Sequence, residues 1–135
     1  MREIVLAWME VPTMVESFFV EKLALSELWL MNNKNVLWLI LFPRREGVTE
    51  LIDLSDQDQA QLLKEINQVA RMLKTHFPCD KLNIAMLGNV LPELHIHVMA
   101  RRFDDAYFPK SAFGLPGEPY SVEEVNALIK QIRGL

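Results

Sequence analysis

Two histidines separated by one residue, His95 and His97, are the side chains whose type and spacing best suit chemistry in this sequence. Successive side chains of a strand point to opposite faces, so Glu93, His95 and His97 would share one face at intervals of about 6.6–7 Å. Neutral imidazole ligates metal ions, and it also acts on phosphate as a nucleophile or a hydrogen-bonding group. The pattern leaves both interpretations open. A metal site would need Glu93 or His76 as a third ligand, with Zn²⁺ as the usual ion.

The residues that alternate with the histidines along this run predict which face of the strand is buried. A lone histidine would most simply be a hydrogen-bonded core residue or a surface residue. Two histidines with a carboxylate at the same spacing favour a functional site instead. The face opposite to the histidines is apolar and is predicted to pack on the core; its members are Leu94, Ile96, Val98 and Ala100.

Three helices are predicted from apolar residues that recur every three or four positions. The first follows Pro12, with Thr13 as a possible cap and an apolar stripe at Met14, Val15, Phe18, Phe19 and Leu23. The second is long, begins after the capping residue Ser55 and stops at Pro78. The third begins after a capping box at Ser121 and closes the chain.

The strands that would surround the histidines come in hairpin-like pairs. Residues 28–31 and 36–42 predict a hairpin across a polar turn, and residues 82–86 and 93–101 alternate as half-buried strands do. Helices inserted between such pairs favour an antiparallel sheet with helices on one face, which is the α+β class. Residues 104–120, rich in Pro, Gly and aromatic residues, predict a long loop of the kind that shapes a site.

Composition limits the partners that this chain can have. Its 135 residues, half of them hydrophobic, suit a single domain over residues 1–135. The net charge of −4 disfavours binding to long nucleic acids. The longest apolar run, residues 36–42, is too short to span a membrane. Acidic residues near the amino terminus do not suit a secretion signal, and Cys79 is a lone cysteine, so we expect a cytoplasmic protein.

The histidine strand resembles the signature of the histidine-triad (HIT) family, which is His-apolar-His-apolar-His followed by apolar residues and often by Arg. The run Glu93-Leu94-His95-Ile96-His97-Val98-Met99-Ala100-Arg101 matches it at every position except the first. Gly88-Asn89-Val90 is similar to the family's Gly-Gln segment, and Leu30-Met31-Asn32-Asn33-Lys34 to its earlier strand ending in Asn. The helix entrance Asp53-Leu54-Ser55 also falls where the family has one. The similarity covers roughly residues 25 to 103. It is closest to a bacterial HIT-like group in which the first triad histidine is replaced, commonly by Gln.

This resemblance implies a HIT-like fold with an antiparallel sheet of about five strands, one long central helix and additional N- and C-terminal helices. It also implies a homodimer, no cofactor, and a nucleotide or dinucleotide as the small-molecule partner. His95 would attack the α-phosphorus and form a nucleotidyl-imidazole intermediate that water cleaves. His97 would donate a hydrogen bond to a phosphoryl oxygen, while Glu93 would orient a histidine by accepting its N–H. The implied substrate-binding residues are Asn32 at the ribose, Asn89 and Arg101.

Three departures from the family pattern bear on the activity. Residues 36–42 lack the further histidine that the family's hydrolases have, Val90 replaces a Ser or Thr, and an ionised Glu93 would repel a triphosphate. We therefore expect a ligand with less negative charge than a dinucleoside polyphosphate, or slow turnover. The leading function is a nucleotide phosphoramidase, a dinucleoside polyphosphate hydrolase or a nucleotidyl transferase. The alternatives are a catalytically weak nucleotide-binding protein and a metal-dependent hydrolase that uses Glu93, His95 and His97.

Overall fold

The computed structural model describes residues 2–6 and 13–135, with side chains from residue 17 onward. The strands within these ranges are β1 (Arg2–Leu6), β2 (Thr13–Lys22), β3 (Ser26–Met31), β4 (Leu37–Pro43), β5 (Lys81–Ala85) and β6 (Ile96–Arg101). They form a six-stranded sheet in the order β1-β2-β3-β4-β6-β5, and each neighbouring pair is antiparallel. The predicted α+β class with an antiparallel sheet is confirmed.

Two α-helices follow the predicted caps. A short 3-10 helix (Leu51–Asp53) leads into α1 (Asp56–His76), and α2 (Val122–Arg133) lies near the carboxyl end. The Ser55 hydroxyl accepts a hydrogen bond from the Asp58 N–H at 3.1 Å, and Ser121 forms the predicted capping box at α2. Each cap satisfies backbone donors that the first helical turn leaves without partners. No helix among the described residues is both long and apolar enough to cross a membrane.

The predicted helix after Pro12 is wrong, because residues 13–22 form strand β2 instead. Pro12 itself lies outside the described residues. The pairing of β2 with β3 shifts between Phe19 and Glu21, which leaves Val20 as the extra residue of a β-bulge. Met14, Val15, Phe18 and Phe19, which suggested a helix, all lie on β2 before this bulge, and Leu23 follows the end of the strand. Residues 13–22 pair with β1 on one side and with β3 on the other, and this pairing outweighs the helix-like spacing of their apolar residues.

The two faces of the sheet bury different cores. The core between the sheet and the two helices is aliphatic and includes Leu30, Leu39, Ile96, Val98, Leu62, Val69, Leu73 and Ile132. The core on the opposite face of the sheet is richer in aromatic residues and includes Trp29, Trp38, Ile40, Phe42, Met99, Tyr107 and Ala112. Leu94, Ile96, Val98 and Ala100 all lie on the aliphatic side, so the predicted division of the histidine strand into two faces is confirmed. The histidines therefore belong to the aromatic side.

The loop over residues 104–120 covers this aromatic face. The Tyr107 hydroxyl donates to the Pro116 carbonyl at 2.6 Å and accepts from Asn35 Nδ2 at 3.1 Å. These bonds tie the loop to the turn between β3 and β4. The loop thereby places Phe113 against the rings of Trp38 and His97, with centroids 5.2 and 4.9 Å away.

Candidate active site

The histidines lie where β6 begins, in the interior of the sheet. His97 pairs with Ile40 of β4 on one side and with Ala85 of β5 on the other. His95 immediately precedes β6, and the Leu94 N–H beside it donates to the Val48 carbonyl at 3.0 Å. The backbone on both sides of His95 is thus fixed, which limits the directions its ring can take.

His95 is oriented by the main chain of Glu93. Its Nδ1 lies 2.6 Å from the Glu93 carbonyl oxygen. A carbonyl only accepts hydrogen bonds, so Nδ1 must carry the proton, and in the neutral ring the lone pair is on Nε2. The Phe42 ring stacks on the imidazole with centroids 5.5 Å apart and an interplanar angle of 19°. The result is an imidazole held in the tautomer that a nucleophile at Nε2 requires.

His97 has the opposite tautomer. The indole Nε1–H of Trp38 lies 3.0 Å from His97 Nδ1, and an indole nitrogen only donates. Nδ1 is therefore the acceptor, and Nε2 of the neutral ring carries the proton. Burial and, secondly, the neighbouring His95 lower the pKa of His97 to about 3, so this ring is neutral at physiological pH.

The two rings form a complementary pair. Their centroids are 4.8 Å apart at an interplanar angle of 74°, and their relative exposures are 4% for His95 and 1% for His97. One ring offers an unprotonated Nε2 and the other a neutral Nε2–H. Nucleophilic attack with hydrogen-bond stabilisation of the developing charge is the chemistry that such a pair supports.

A cavity of about 220 Å³ opens beside His95. Its lining comes from the loop before α1 and from the segment between β5 and β6: Thr49, Glu50, Leu51, Met86, Leu87, Gly88, Glu93, Leu94 and His95. Gly88 has a φ of 66°, a conformation that side-chain-bearing residues rarely adopt. Among the described residues that line the cavity, two are carboxylates and none is Lys or Arg.

The structure brings Glu93, His95 and His97 together, as the strand pattern predicted. Glu93 lines the His95 cavity and a neighbouring cavity of about 200 Å³ that Arg44 and Arg45 also line. The atom of Glu93 that orients His95 is its carbonyl oxygen, whereas the sequence led us to expect its carboxylate. This correction arises because His95 lies before β6, where its ring can turn back toward the preceding backbone.

The other predicted residues lie elsewhere. Asn89 is exposed and is next to Gly88, although it does not line the cavity itself. Asn32 Oδ1 accepts from the Tyr120 N–H at 2.8 Å. Arg101 lies at the far end of β6, buried to 1% exposure, and bonds Asp105 through Nε and Nη2 at 2.8 and 3.1 Å. The structure therefore does not join Asn32 or Arg101 to the histidine pair.

Glu93, His95 and His97 do not form a metal site. Among the described residues, no group of three His, Cys, Asp or Glu side chains could hold a metal ion. His76, the other proposed third ligand, is the exposed last residue of α1. Both Nδ1 atoms of the pair are already engaged with protein groups. The metal-dependent interpretation therefore lacks a ligand set in this part of the chain.

Sequence reasoning predicted that the loop carrying Phe113 shapes a site, but it missed Trp38 and Phe42 as neighbours of the histidine pair. Trp38 and Phe42 alternate with core residues on β4, and Phe113 lies in the loop above them. A buried indole N–H needs a hydrogen-bond partner, which is the one sequence signal that pointed to Trp38. Its partner depends on the register between β4 and β6, and that register is a tertiary feature.

Comparisons with known proteins agree with this geometry. The sequence model described as HIT domain matches residues 13–104. The chain is similar to a histidine triad protein from Bradyrhizobium japonicum, with 41% identity over 87% of this chain and 89% of that chain and a TM-score of 0.84. A histidine triad protein from Sinorhizobium meliloti shares 37% identity over 87% and 88% of the two chains, with a TM-score of 0.84. One from Marinobacter aquaeolei shares 30% identity over 87% of each chain, with a TM-score of 0.85. No curated protein matches the chain.

Proposed function

This chain belongs to the HIT domain family, a superfamily of nucleotide-binding hydrolases and transferases, and we propose that it cleaves a nucleotide conjugate through a nucleotidyl-histidine intermediate on His95. The observation that carries the proposal is the 2.6 Å contact between His95 Nδ1 and the Glu93 carbonyl. This contact places the lone pair of the neutral, cavity-lining imidazole on Nε2, the atom that a nucleophilic role requires. The expected homodimer stays a prediction.

The proposed reaction has two displacement steps. In the first, His95 Nε2 attacks the α-phosphorus, a P–N bond forms, and the leaving group departs with the electron pair of its bond to phosphorus and takes up a proton. In the second, water attacks the same phosphorus, the P–N bond breaks, and a nucleoside monophosphate and a proton are released. The neutral Nε2–H of His97 stabilises charge on a phosphoryl oxygen during both steps, a role worth about 3–4 kcal/mol in comparable sites.

The charge of the cavity favours one substrate class. Glu50 and Glu93 both line the cavity beside His95. Two like charges about 4 Å apart repel by about 1–4 kcal/mol, depending on how much water surrounds them. Each additional phosphate in a leaving group adds a repulsion of this kind between the ligand and the carboxylates. We therefore favour a nucleoside phosphoramidate, whose leaving group is an amine, over a dinucleoside polyphosphate.

A nucleotide-binding protein with little turnover is the second candidate. The burial of both imidazoles, with Phe113 packed edge-on against His97, favours it. Each imidazole is at most 4% exposed, which restricts the approach of a phosphorus atom to His95 Nε2. A nucleotide that binds in the cavity without this approach would not be cleaved.

The test compares wild type with His95→Ala on a panel of phosphoramidates, nucleoside polyphosphates and dinucleoside polyphosphates. Products are separated by chromatography. The intact mass of the acid-quenched protein is measured by mass spectrometry to detect a nucleotidyl adduct. His76→Ala, which removes an exposed histidine at the end of α1, is the matched control. We expect turnover and an adduct in wild type and in the control, and neither in His95→Ala. Nucleotide binding with equal, background turnover in all three proteins would leave the binding protein as the function.

A further inference from the structure

Trp38 lies on β4 with its side chain fully buried between the sheet and the loop over residues 104–120. We propose that Trp38 is a positioning residue that holds His97 in one tautomer and one ring orientation, so that His97 always presents an Nε2–H. This proposal rests on the proposed function for its effect on turnover. The tautomer itself can be measured without any substrate.

The tautomer follows from the bond between the two rings. Trp38 Nε1 lies 3.0 Å from His97 Nδ1, and the indole nitrogen can only donate. A proton on His97 Nδ1 would face the indole proton, so both the Nδ1–H tautomer and the imidazolium lose this bond. The neutral Nε2–H form is the one that keeps it.

The ring orientation follows from the same bond. Rotating the His97 imidazole by half a turn about its bond to Cβ would place a C–H group against the indole. The Trp38 N–H, buried with its whole side chain, would then have no acceptor, and burying a donor without an acceptor is unfavourable. Phe113 packs edge-on against both rings, with centroids 5.2 Å from Trp38 and 4.9 Å from His97. Orientation and tautomer are therefore set together.

Within the described residues, Trp38 is the one side chain that the structure shows donating to His97. The neighbours of His97 on this face otherwise offer ring edges, ring faces and apolar groups, among them Phe113 and Met99. The nearby His95 ring donates its own Nδ1–H to the Glu93 carbonyl. Removal of the indole N–H should thus leave Nδ1 without a replacement donor from the protein.

The experiment reads the His97 tautomer from the ¹⁵N shifts of its ring nitrogens in histidine-labelled protein at neutral pH. Trp38→Phe removes the donor, and 3-benzothienylalanine placed at position 38 removes it while preserving the size and shape of the indole. The second variant keeps the test valid where Trp38→Phe does not fold. Trp29→Phe is the matched control, because Trp29 lies on the same sheet face and its Nε1 donates to Glu27 at 3.1 Å.

We expect wild type and Trp29→Phe to show an unprotonated Nδ1 and a protonated Nε2 at His97. Loss of the Trp38 N–H should lower the ratio of the Nε2–H form to the Nδ1–H form by about 2- to 10-fold. We expect kcat to fall in proportion to the fraction of His97 that stays in the Nε2–H form, with KM within about twofold. Wild-type shifts and kcat in the benzothienyl variant would overturn the proposal. If wild type itself has no turnover, the proposed function fails, and the tautomer ratio alone decides the role of Trp38.

Discussion

Replacing Asp105 with Asn should destabilise the protein, because it removes one charge of a buried ion pair. The Asp105 and Arg101 side chains are 3% and 1% exposed, and Arg101 Nε and Nη2 donate to the carboxylate at 2.8 and 3.1 Å. Arg101 Nη1 also donates to Asn83 Oδ1 at 2.9 Å. Asp105→Asn would leave the guanidinium buried without a counter-charge.

The magnitude can be worked from this geometry. Removing one partner of a buried ion pair usually costs about 3–5 kcal/mol. An Asn oxygen can keep part of the hydrogen bonding, so we expect the lower end, about 3 kcal/mol of unfolding free energy. For a chain of 135 residues this corresponds to a fall in Tm of about 10 °C. Urea unfolding followed by circular dichroism measures the first quantity and a thermal scan the second.

The effect of Asp105→Asn should also depend on pH. Burial raises the pKa of the Asp105 carboxyl, but hydrogen bonds from Arg101 and from the backbone N–H groups of Tyr107, Arg102 and Phe108 outweigh it and hold the pKa well below its usual range. A native pKa below the unfolded one stabilises the fold above the unfolded value, and this stabilisation is lost as the pH falls. The difference between wild type and Asp105→Asn should therefore be constant above about pH 5 and shrink below about pH 4.

Asp104→Asn is the matched control for this measurement. Asp104 bonds the neighbouring Arg102 at 2.7 Å, but the two side chains are 69% and 50% exposed. Such surface pairs contribute about 0–1 kcal/mol, so we expect a change under about 0.5 kcal/mol. Equal losses in the two variants, or a loss in Asp105→Asn that stays constant down to pH 2.5, would refute the reasoning.

Two further substitutions test buried polar groups. Burial and then His95 lower the pKa of His97 to about 3, so unfolding takes up a proton at this position and stability falls as the pH drops from about 6.5 toward 3, by up to about 1.4 kcal/mol per pH unit. His97→Gln should remove this slope from a series of urea unfolding curves, and identical slopes would contradict it. Glu65 accepts backbone N–H groups at the junction of β2 and β3 with both carboxylate oxygens, at 2.7 and 2.9 Å. Glu65→Gln keeps one acceptor, so we expect a loss of about 1–3 kcal/mol; the exposed Glu123→Gln should lose under about 0.5 kcal/mol, and equal losses would count against the reasoning.

The elements predicted correctly are those whose signals are local. Ser55 and Ser121 cap their helices with side chains that reach only three residues ahead, and such caps can be read from a short window. The helix predicted after Pro12 was wrong because the interactions that make these residues strand β2 are not local. Its bulge at Val20 and its pairing with Trp29 and neighbouring residues of β3 depend on partners that the local window does not contain.

The candidate site divides in the same way. Alternation along one strand was enough to place His95 and His97 on a common face opposite Leu94, Ile96 and Val98. The atoms that set the tautomers of the two rings, the Trp38 Nε1–H and the Glu93 carbonyl oxygen, cannot be identified from that alternation. Trp38 reaches His97 across the register of two strands, and the chain bends at Glu93 before β6 begins.

Arg101 was predicted to bind substrate because of its position in the motif, whereas the structure pairs it with Asp105. The sequence places it on the histidine face, four residues after His97, which at the strand repeat is about 13 Å away. The acidic residue that holds it, Asp105, follows after a turn, and backbone N–H groups from that turn complete the site of the carboxylate. The guanidinium therefore holds the loop that carries Phe113, and its contribution to the histidine pair is indirect.

Glu93, at the position that resembles the first histidine of the triad signature, is expected to affect charge more than orientation. His95 is turned by the carbonyl oxygen of residue 93 at 2.6 Å, and every residue type provides that oxygen. Glu93→Gln should therefore leave the tautomer of His95 unchanged. Glu93 and Glu50 both line the cavity beside His95, where we expect a carboxylate to act on the charge of the ligand. The substitution is thus expected to alter which leaving groups the site accepts, while the His95 imidazole keeps its geometry.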